Sequence, residues 1–359
     1  MKASATLGWP ILLGVNLQRN GPAWAVQYGV AAVQGFEIGN EPDLYISSLA
    51  TLENDWNGYI SAFKGNTTTA PVALVGPAYD DQSDVWRNSN FAPWMDAVGP
   101  SNLGLTTLHE YPTDTCSKAD KRALTISSLL AQSLITNYQN MVTTNNWVGN
   151  ANSRGLQLEL GETNSTACAG KAGVDNVMAA TLWTVDWIFT NFNLGFNRIN
   201  LFTSQFSTTY YTFASTTVNG STYTTTVQAP YYGLYGFNNN APGKAILPVT
   251  VSSNANVKAY AVRASSTSPV VVFVINKDTS ASGTVTVTPS VAMTSASLLM
   301  VQGTSLSATA SGVTYGGVQF NNSTGLLNGT PTTTSISPAA GSYSFTLPNA
   351  AYAILTINP

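Results

Sequence analysis

Charge is scarce in this sequence. Only 9% of its 359 residues are Asp, Glu, Lys or Arg, and 14 cations against 17 anions leave a formal net charge of −3. With no basic field to gather phosphates, nucleic acid is excluded as a partner. Histidine occurs once, at His109, which rules out a multi-histidine metal site and any Ser-His triad that does not use it. Neither a metal nor a cofactor is expected. Two cysteines, Cys116 and Cys168, make no disulfide scaffold in a chain this long, although one bridge remains open to them. No apolar run reaches the roughly 18 residues of a membrane span, so no membrane partner is expected. The opening Met1-Lys2-Ala3-Ser4-Ala5-Thr6 lacks the h-region and cleavage site of a secretory signal.

What fills the space left by charge is Ser, Thr, Asn and Gly over a chain that is 44% hydrophobic. Such a polar but uncharged surface suits an extracellular protein. Asn-X-Ser/Thr acceptors at Asn66, Asn219, Asn321, Asn322 and Asn328 lean the same way, so secretion is expected although no signal peptide is visible. The length exceeds one average domain and predicts a large catalytic unit with a smaller companion.

From residue 10 to about 202, short apolar runs at 11–17, 36–39, 72–76, 103–108, 156–160 and 198–202 alternate with amphipathic stretches at 22–33, 48–63, 119–142 and 174–192. That alternation predicts βα units around a buried parallel sheet. Residues 203–228, rich in Thr, Tyr and Ser, read as a long loop or hairpin, and 229–237 as a last short helix. Beyond about 241 the texture is Val/Thr/Ser with period-two alternation, as at 269–276, 283–288 and 342–347. The expected organisation is a catalytic domain over 1–240 and an all-β sandwich over 241–359. The sandwich lacks clustered acids, so a structural role is expected ahead of sugar binding.

Phe36-Glu37-Ile38-Gly39-Asn40-Glu41-Pro42 places a carboxylate where an apolar strand ends and proline stops the ladder. Leu156-Gln157-Leu158-Glu159-Leu160-Gly161-Glu162 repeats the arrangement. In a parallel βα barrel the carboxyl ends of the strands carry the chemistry, which singles out Glu41 and Glu162. Alternation puts Glu162 on the face of Leu158 and Leu160 and points Glu159 the other way. Glu37 lies four residues before Glu41, about 13 Å down the strand, and is expected to be a buried structural acid with a cationic partner. Two glutamates suffice for glycosidic cleavage, one protonating the leaving oxygen and one ionised across the anomeric carbon. Neighbouring carboxylates push one pKa up, the device that keeps a general acid protonated.

Phe36 to Tyr45 and Leu160-Gly161-Glu162-Thr163-Asn164-Ser165 resemble the two catalytic signatures of glycoside hydrolase family 79, which contains β-glucuronidases and heparanases. The resemblance runs on through Gly14-Val15-Asn16-Leu17, Leu108-His109-Glu110-Tyr111-Pro112 and the C-terminal β-module. Asn-Glu-Pro alone marks only a wider clan of (β/α)8 retaining enzymes, while its pairing with Gly-Glu-Thr-Asn-Ser is more specific. The resemblance implies a secreted fungal-type member with an α/β fold, a (β/α)8 TIM-type barrel followed by a β-sandwich. In that clan the acid/base follows strand 4 and the nucleophile strand 7. Glu41 and Glu162 follow the second and fifth visible strands, so the six strands count as 3 to 8. Strands 1 and 2, with any signal peptide, are expected upstream of Met1.

Residue by residue, the resemblance implies that Asn40 hydrogen-bonds the sugar 2-hydroxyl, with a turn role as the alternative. Tyr111 is similar to the tyrosine that donates to the nucleophile, and His109 is expected either to support the site by a hydrogen bond or to pack. Cys116 follows strand 6 and Cys168 strand 7, so the resemblance implies a disulfide between them. Tyr210, Tyr211, Tyr223, Tyr231 and Tyr232 are candidates to hold a sugar carboxylate. The expected activity is that of a monomeric retaining exo-β-glucuronidase removing terminal glucuronic acid, or its 4-O-methyl form, from an oligosaccharide or polysaccharide. An endo-acting, heparanase-like enzyme fits less well, because 14 Lys and Arg offer little to a cleft for sulfated chains. Another retaining β-glycosidase of the clan is an alternative, as is a vestigial, non-catalytic carbohydrate-binding protein whose open barrel exposes two strand edges.

Overall fold

The structure, a computed structural model, describes residues 11–18, 21–27, 34–80, 84–203, 209–218, 222–322 and 324–359. Six parallel strands form one sheet in sequence order: β1 (Leu12–Val15), β2 (Gly35–Ile38), β3 (Ala73–Tyr79), β4 (Leu103–His109), β5 (Leu158–Thr163) and β6 (Arg198–Leu201). They lie where the apolar runs predict them. Phe36, Ile38, Leu74, Val75, Leu108, Leu158 and Leu160 are buried, which is why these segments read as apolar runs rather than as alternating strands. This is the sheet of an incomplete (β/α) barrel.

The helices are α1 (Pro22–Gln27), α2 (Leu49–Lys64), α3 (Asp84–Val98), α4 (Lys118–Ala123), α5 (Ile126–Leu130), α6 (Gln132–Thr144), α7 (Trp147–Asn152), α8 (Met178–Leu194) and α9 (Ala229–Asn240). Of the stretch predicted at 22–33, residues 28–33 lie outside the described residues. The single helix expected over 119–142 is three. Leu124 and Ala131 have ψ near 122° and 136°, and Thr125 starts a new helix through a capping box with Ser128. Helix α3 escapes the periodicity argument because Pro93 sits inside it.

Two compact units emerge. The first comprises Met1–Tyr111, Gln139–Thr163 and Leu194–Leu201, and holds the whole parallel sheet. Its helices are riveted by rings: Trp56 of α2 meets Trp94 of α3 edge-on at 4.9 Å, Tyr79 meets Trp86 at 5.1 Å and Phe36 meets Phe63 at 4.8 Å. Each such ring removes roughly 150–250 Å² from water, on the order of 4–6 kcal/mol before entropy is counted.

The second unit comprises Pro112–Tyr138, Asn164–Asn193 and Phe202–Pro359. This cut differs from the boundary expected at 240, because α8 groups with the β-rich part. Residues 178 to 191 of that helix are all buried, and the N–H groups of Met178 and Ala179 donate to Ala308 and Leu306. The hairpin expected within 203–228 is β7 (Phe213–Val218) with β8 (Thr222–Val227). Strands β9 (Ala245–Leu247), β10 (Val257–Arg263), β11 (Val270–Asn276), β13 (Ser295–Gly303), β14 (Val313–Tyr315), β15 (Thr334–Ile336) and β17 (Ala351–Asn358) make an antiparallel sheet. The pair β12 (Gly283–Val287) and β16 (Tyr343–Leu347) covers it through Tyr343, Phe345 and Leu347.

Candidate active site

Every element of the site belongs to the first unit. At the end of β2, Gly39 takes φ +91°, a left-handed turn that favours glycine, and hands the chain to Asn40 and Glu41. Glu41 is itself left-handed, at φ 50° and ψ 52°, and its N–H donates to the carbonyl of Ala78 at 2.8 Å. A 3₁₀ turn at Pro42–Leu44 follows. Asp43 accepts the Asp80 N–H at 3.0 Å, and burial, only partly offset by backbone hydrogen bonds, pushes its carboxyl up to about 6. Asn40 is exposed, and its backbone N–H meets the Tyr45 hydroxyl.

The end of β4 brings His109, 2% exposed, with Nδ1 2.9 Å from Glu41 Oε1. In the tautomer that carries its proton on Nδ1, the imidazole donates to that oxygen. Burial works against charge on the imidazole. The Glu41 hydrogen bond and the charges of Glu162, Glu41 and Glu37 outweigh it and hold the ring above its ordinary value. Tyr111 donates its hydroxyl to Glu162 Oε1 at 2.7 Å.

Arg87, fully buried on α3, anchors this segment from behind. Its Nη1 donates to the His109 carbonyl at 3.0 Å and to Glu110 Oε2 at 2.8 Å, and the guanidinium lies 4.5 Å from the Trp147 ring centroid. Sequence reasoning missed both Arg87 and Glu110. The one available signal was an arginine inside an otherwise uncharged aromatic stretch.

Strand β5 supplies Glu162. Pairing with β6 shifts register between Leu160 and Thr163, so alternation along β5 fails where it was used to orient the acids. Glu159 does not point away from the other carboxylates. It is fully buried, 3.3 Å from the Arg198 guanidinium, and its pKa is raised by burial, lowered by Arg198 and raised again by Glu37. Glu37 likewise corrects the expectation of a remote acid with a cationic partner. Its Oε1 accepts the Thr107 hydroxyl at 2.7 Å, and its charge is felt by both His109 and Glu162. Burial raises its pKa, against the lowering effect of Thr107. Gly161 makes the room: a Cβ there would stand 3.1 Å from Thr107 and 3.5 Å from Glu37 Oε1.

One carboxylate oxygen each from Glu41 and Glu162 and one nitrogen of His109 all lie within 4.8 Å of one another. Hydrogen bonds tie the trio together and to its surroundings: His109 Nδ1 pairs with Glu41 Oε1, and the Tyr111 hydroxyl donates to Glu162 Oε1. The structure thus unites Glu41, His109, Tyr111 and Glu162, with Asn40 beside them at the surface. Cys116 and Cys168, in the second unit, form the expected disulfide. The tyrosine candidates are absorbed otherwise. Tyr210 and Tyr211 are buried against Phe202, Tyr231 and Tyr232 pack on Phe320, and the Tyr223 side chain lies outside the described residues.

No protein-family profile matches the chain, and no curated relative matches it in sequence. Solved structures do share its fold. A 4-O-α-L-rhamnosyl-β-D-glucuronidase from Fusarium oxysporum, seen in complex with Rha-GlcA, superposes with a TM-score of 0.79 at 18% identity, over 99% of this chain and 78% of that one. A family 51 arabinofuranosidase from Xanthomonas axonopodis pv. citri gives 0.69 at 13% identity, over 99% and 77%. A family 30 endoxylanase from Clostridium papyrosolvens gives 0.54 at 13%, over 95% and 72%. The architecture is therefore one that known glycoside hydrolases share, a (β/α)-barrel sheet with an antiparallel β-domain.

Proposed function

We propose that the chain is a retaining glycoside hydrolase of the family 79 type, with Glu41 as acid/base and Glu162 as nucleophile. The observation that carries this reading is the approach of the two carboxylates to within 4.8 Å. Retaining enzymes hold their carboxyl groups about 5–5.5 Å apart, whereas inverting ones leave about 6.5–9.5 Å for a water. Glu162 attacks the anomeric carbon while Glu41 protonates the departing oxygen. Glu41 then takes a proton from the water that hydrolyses the glycosyl ester. The Tyr111 hydroxyl favours the ionised nucleophile. His109, donating to Oε1 of Glu41, leaves Oε2 to carry the transferable proton.

For substrate we propose a terminal β-linked glucuronic acid or its 4-O-methyl form on a secreted glycan. The signature residues support it, as does the fold shared with the rhamnosyl-glucuronidase. An arabinofuranoside is the second reading, favoured by the arabinofuranosidases of similar fold. The test is hydrolysis of p-nitrophenyl β-glucuronide beside the β-glucoside, β-xyloside and α-L-arabinofuranoside at mildly acidic pH. Cleavage of the glucuronide alone is expected. Cleavage of another glycoside overturns the substrate, and cleavage of none by folded protein overturns the enzyme in favour of a non-catalytic carbohydrate-binding protein.

A further inference from the structure

Asp43 lies two residues after the proposed acid/base, in a turn that the strand ladder does not hold. Pairing of β2 with β3 ends at Glu37 and Val75. Beyond that point Glu41 is left-handed at φ 50°, and Ala78, near the end of β3, is left-handed at φ 53°. A side chain makes such backbone unfavourable, so both residues stay in it only if their surroundings hold them there. Pro42 has no N–H to contribute, and the N–H groups of Leu44 and Tyr45 donate back into the turn, to the carbonyls of Glu41 and Pro42.

Two hydrogen bonds tie this turn to the neighbouring segment. The Glu41 N–H donates to the Ala78 carbonyl at 2.8 Å, and the Asp80 N–H donates to Asp43 Oδ1 at 3.0 Å. They sit two residues apart on each segment, so together they close a ring that fixes the turn carrying Glu41 against the end of β3. The first bond runs from backbone to backbone and needs no particular side chain. The second needs a short side chain with an acceptor oxygen at position 43. Oδ2 of Asp43 is buried and has no hydrogen-bond partner among the described residues. The two oxygens divide the work: Oδ1 accepts from Asp80, while Oδ2 is free to carry the proton that burial favours. The tether is thus the same whether the carboxyl group is ionised or neutral.

We propose that Asp43 is a positioning residue for the acid/base, whose Oδ1 pins the Glu41 turn to the 78–80 segment and so keeps the Glu41 carboxyl group against His109. The inference rests on Glu41 being the acid/base, but the tether is readable without any substrate. His109 Nδ1 lies 2.9 Å from Glu41 Oε1 and reports where that carboxyl group stands.

Two substitutions separate the tether from the charge: Asp43→Ala removes both, whereas Asp43→Asn removes the charge and keeps an acceptor oxygen. His109 is the sole histidine, so its imidazole resonances in the full-length protein need no assignment. NMR should show them displaced in Asp43→Ala and returned close to their wild-type positions in Asp43→Asn. On a series of aryl glycosides, Asp43→Ala should lower kcat/KM roughly 10- to 100-fold where the leaving group is poor and needs protonation, and far less where it is good. Asp43→Asn should restore most of that loss. Unmoved His109 resonances in folded Asp43→Ala overturn the proposal, as do equal losses in the two variants or a loss independent of the leaving group. Should Asp43→Ala not fold, slow hydrogen exchange of the Asp80 amide in the wild-type protein supports the tether and rapid exchange overturns it. Displaced resonances in a protein that cleaves no glycoside count against the acid/base assignment and not against the tether.

Discussion

In the second unit, Lys277 and Asp186 are both fully buried and close on each other, and the Tyr260 hydroxyl takes the remaining Asp186 oxygen. At the carboxyl ends of β2, β4 and β5 the plan is opposite: Glu37, Glu41 and Glu162 share a single histidine, and the Glu41 side chain is 22% exposed. The first cluster is sealed and balanced, so it can only hold structure. The second has more acids than cations and an opening to solvent, which keeps protons exchangeable where a substrate can reach them. Burial alone does not mark a functional charge; burial with an unequal tally and a route to water does.

The comparison breaks if the two clusters respond alike to mutation. The largest effect belongs to Glu162→Ala, which should lower kcat on the cleaved glycoside on the order of 10⁴-fold while thermal stability holds. Retention of more than a few per cent of activity removes Glu162 from the reaction. Next, Lys277→Met strands Asp186 and should cost about 3–5 kcal/mol in urea denaturation, whereas Lys277→Met with Asp186→Leu should recover most of it. Activity per folded molecule should be unaffected by either change. Tyr111→Phe removes one hydrogen bond to a charged oxygen and should lower kcat/KM roughly 10- to 100-fold without unfolding the protein.

The smallest effect is on the pH dependence of stability. Burial raises Glu37, Glu159, Asp175 and Asp43, the last to about 6, and the surrounding acids raise His109. A raised group binds its proton more tightly folded than unfolded, so its contribution is complete below the unfolded value and is lost as pH rises through the folded one. Stability in urea should therefore increase as pH falls from 7 to about 5, with Asp43→Asn flattening part of the slope. Asp278, lowered to about 2 by backbone N–H groups, acts the other way and only in stronger acid. A stability that falls steadily as pH drops from 7 to 5 would contradict the tighter proton binding of these buried acids in the folded state.

Much of this was legible in the sequence. Strands β1 to β6 announced themselves as short apolar runs, and Glu41 and Glu162 stood out because each ends such a run in a fixed local motif. The side-chain directions were not legible. Period-two alternation assumes a regular strand, and the shift between Leu160 and Thr163 reassigns the acids around it. The contact of Glu37 with Thr107 spans 70 residues and exists only because β2 and β4 flank β3. Arg87 stayed hidden because Pro93 masks the helix that carries it, and the 119–142 segment concealed two breaks made by extended backbone at Leu124 and Ala131. Local chemistry is written in neighbours along the chain, while electrostatic coupling is written in neighbours across the sheet.

Glu41 and Ala78 are both left-handed non-glycine residues, at φ 50° and 53°, and the N–H of one is held by the carbonyl of the other. The Asn-Glu-Pro tripeptide consequently does not encode its own geometry. Grafted onto another barrel without the Ala78 turn beside it, the same three residues would bring the carboxyl group but not its address.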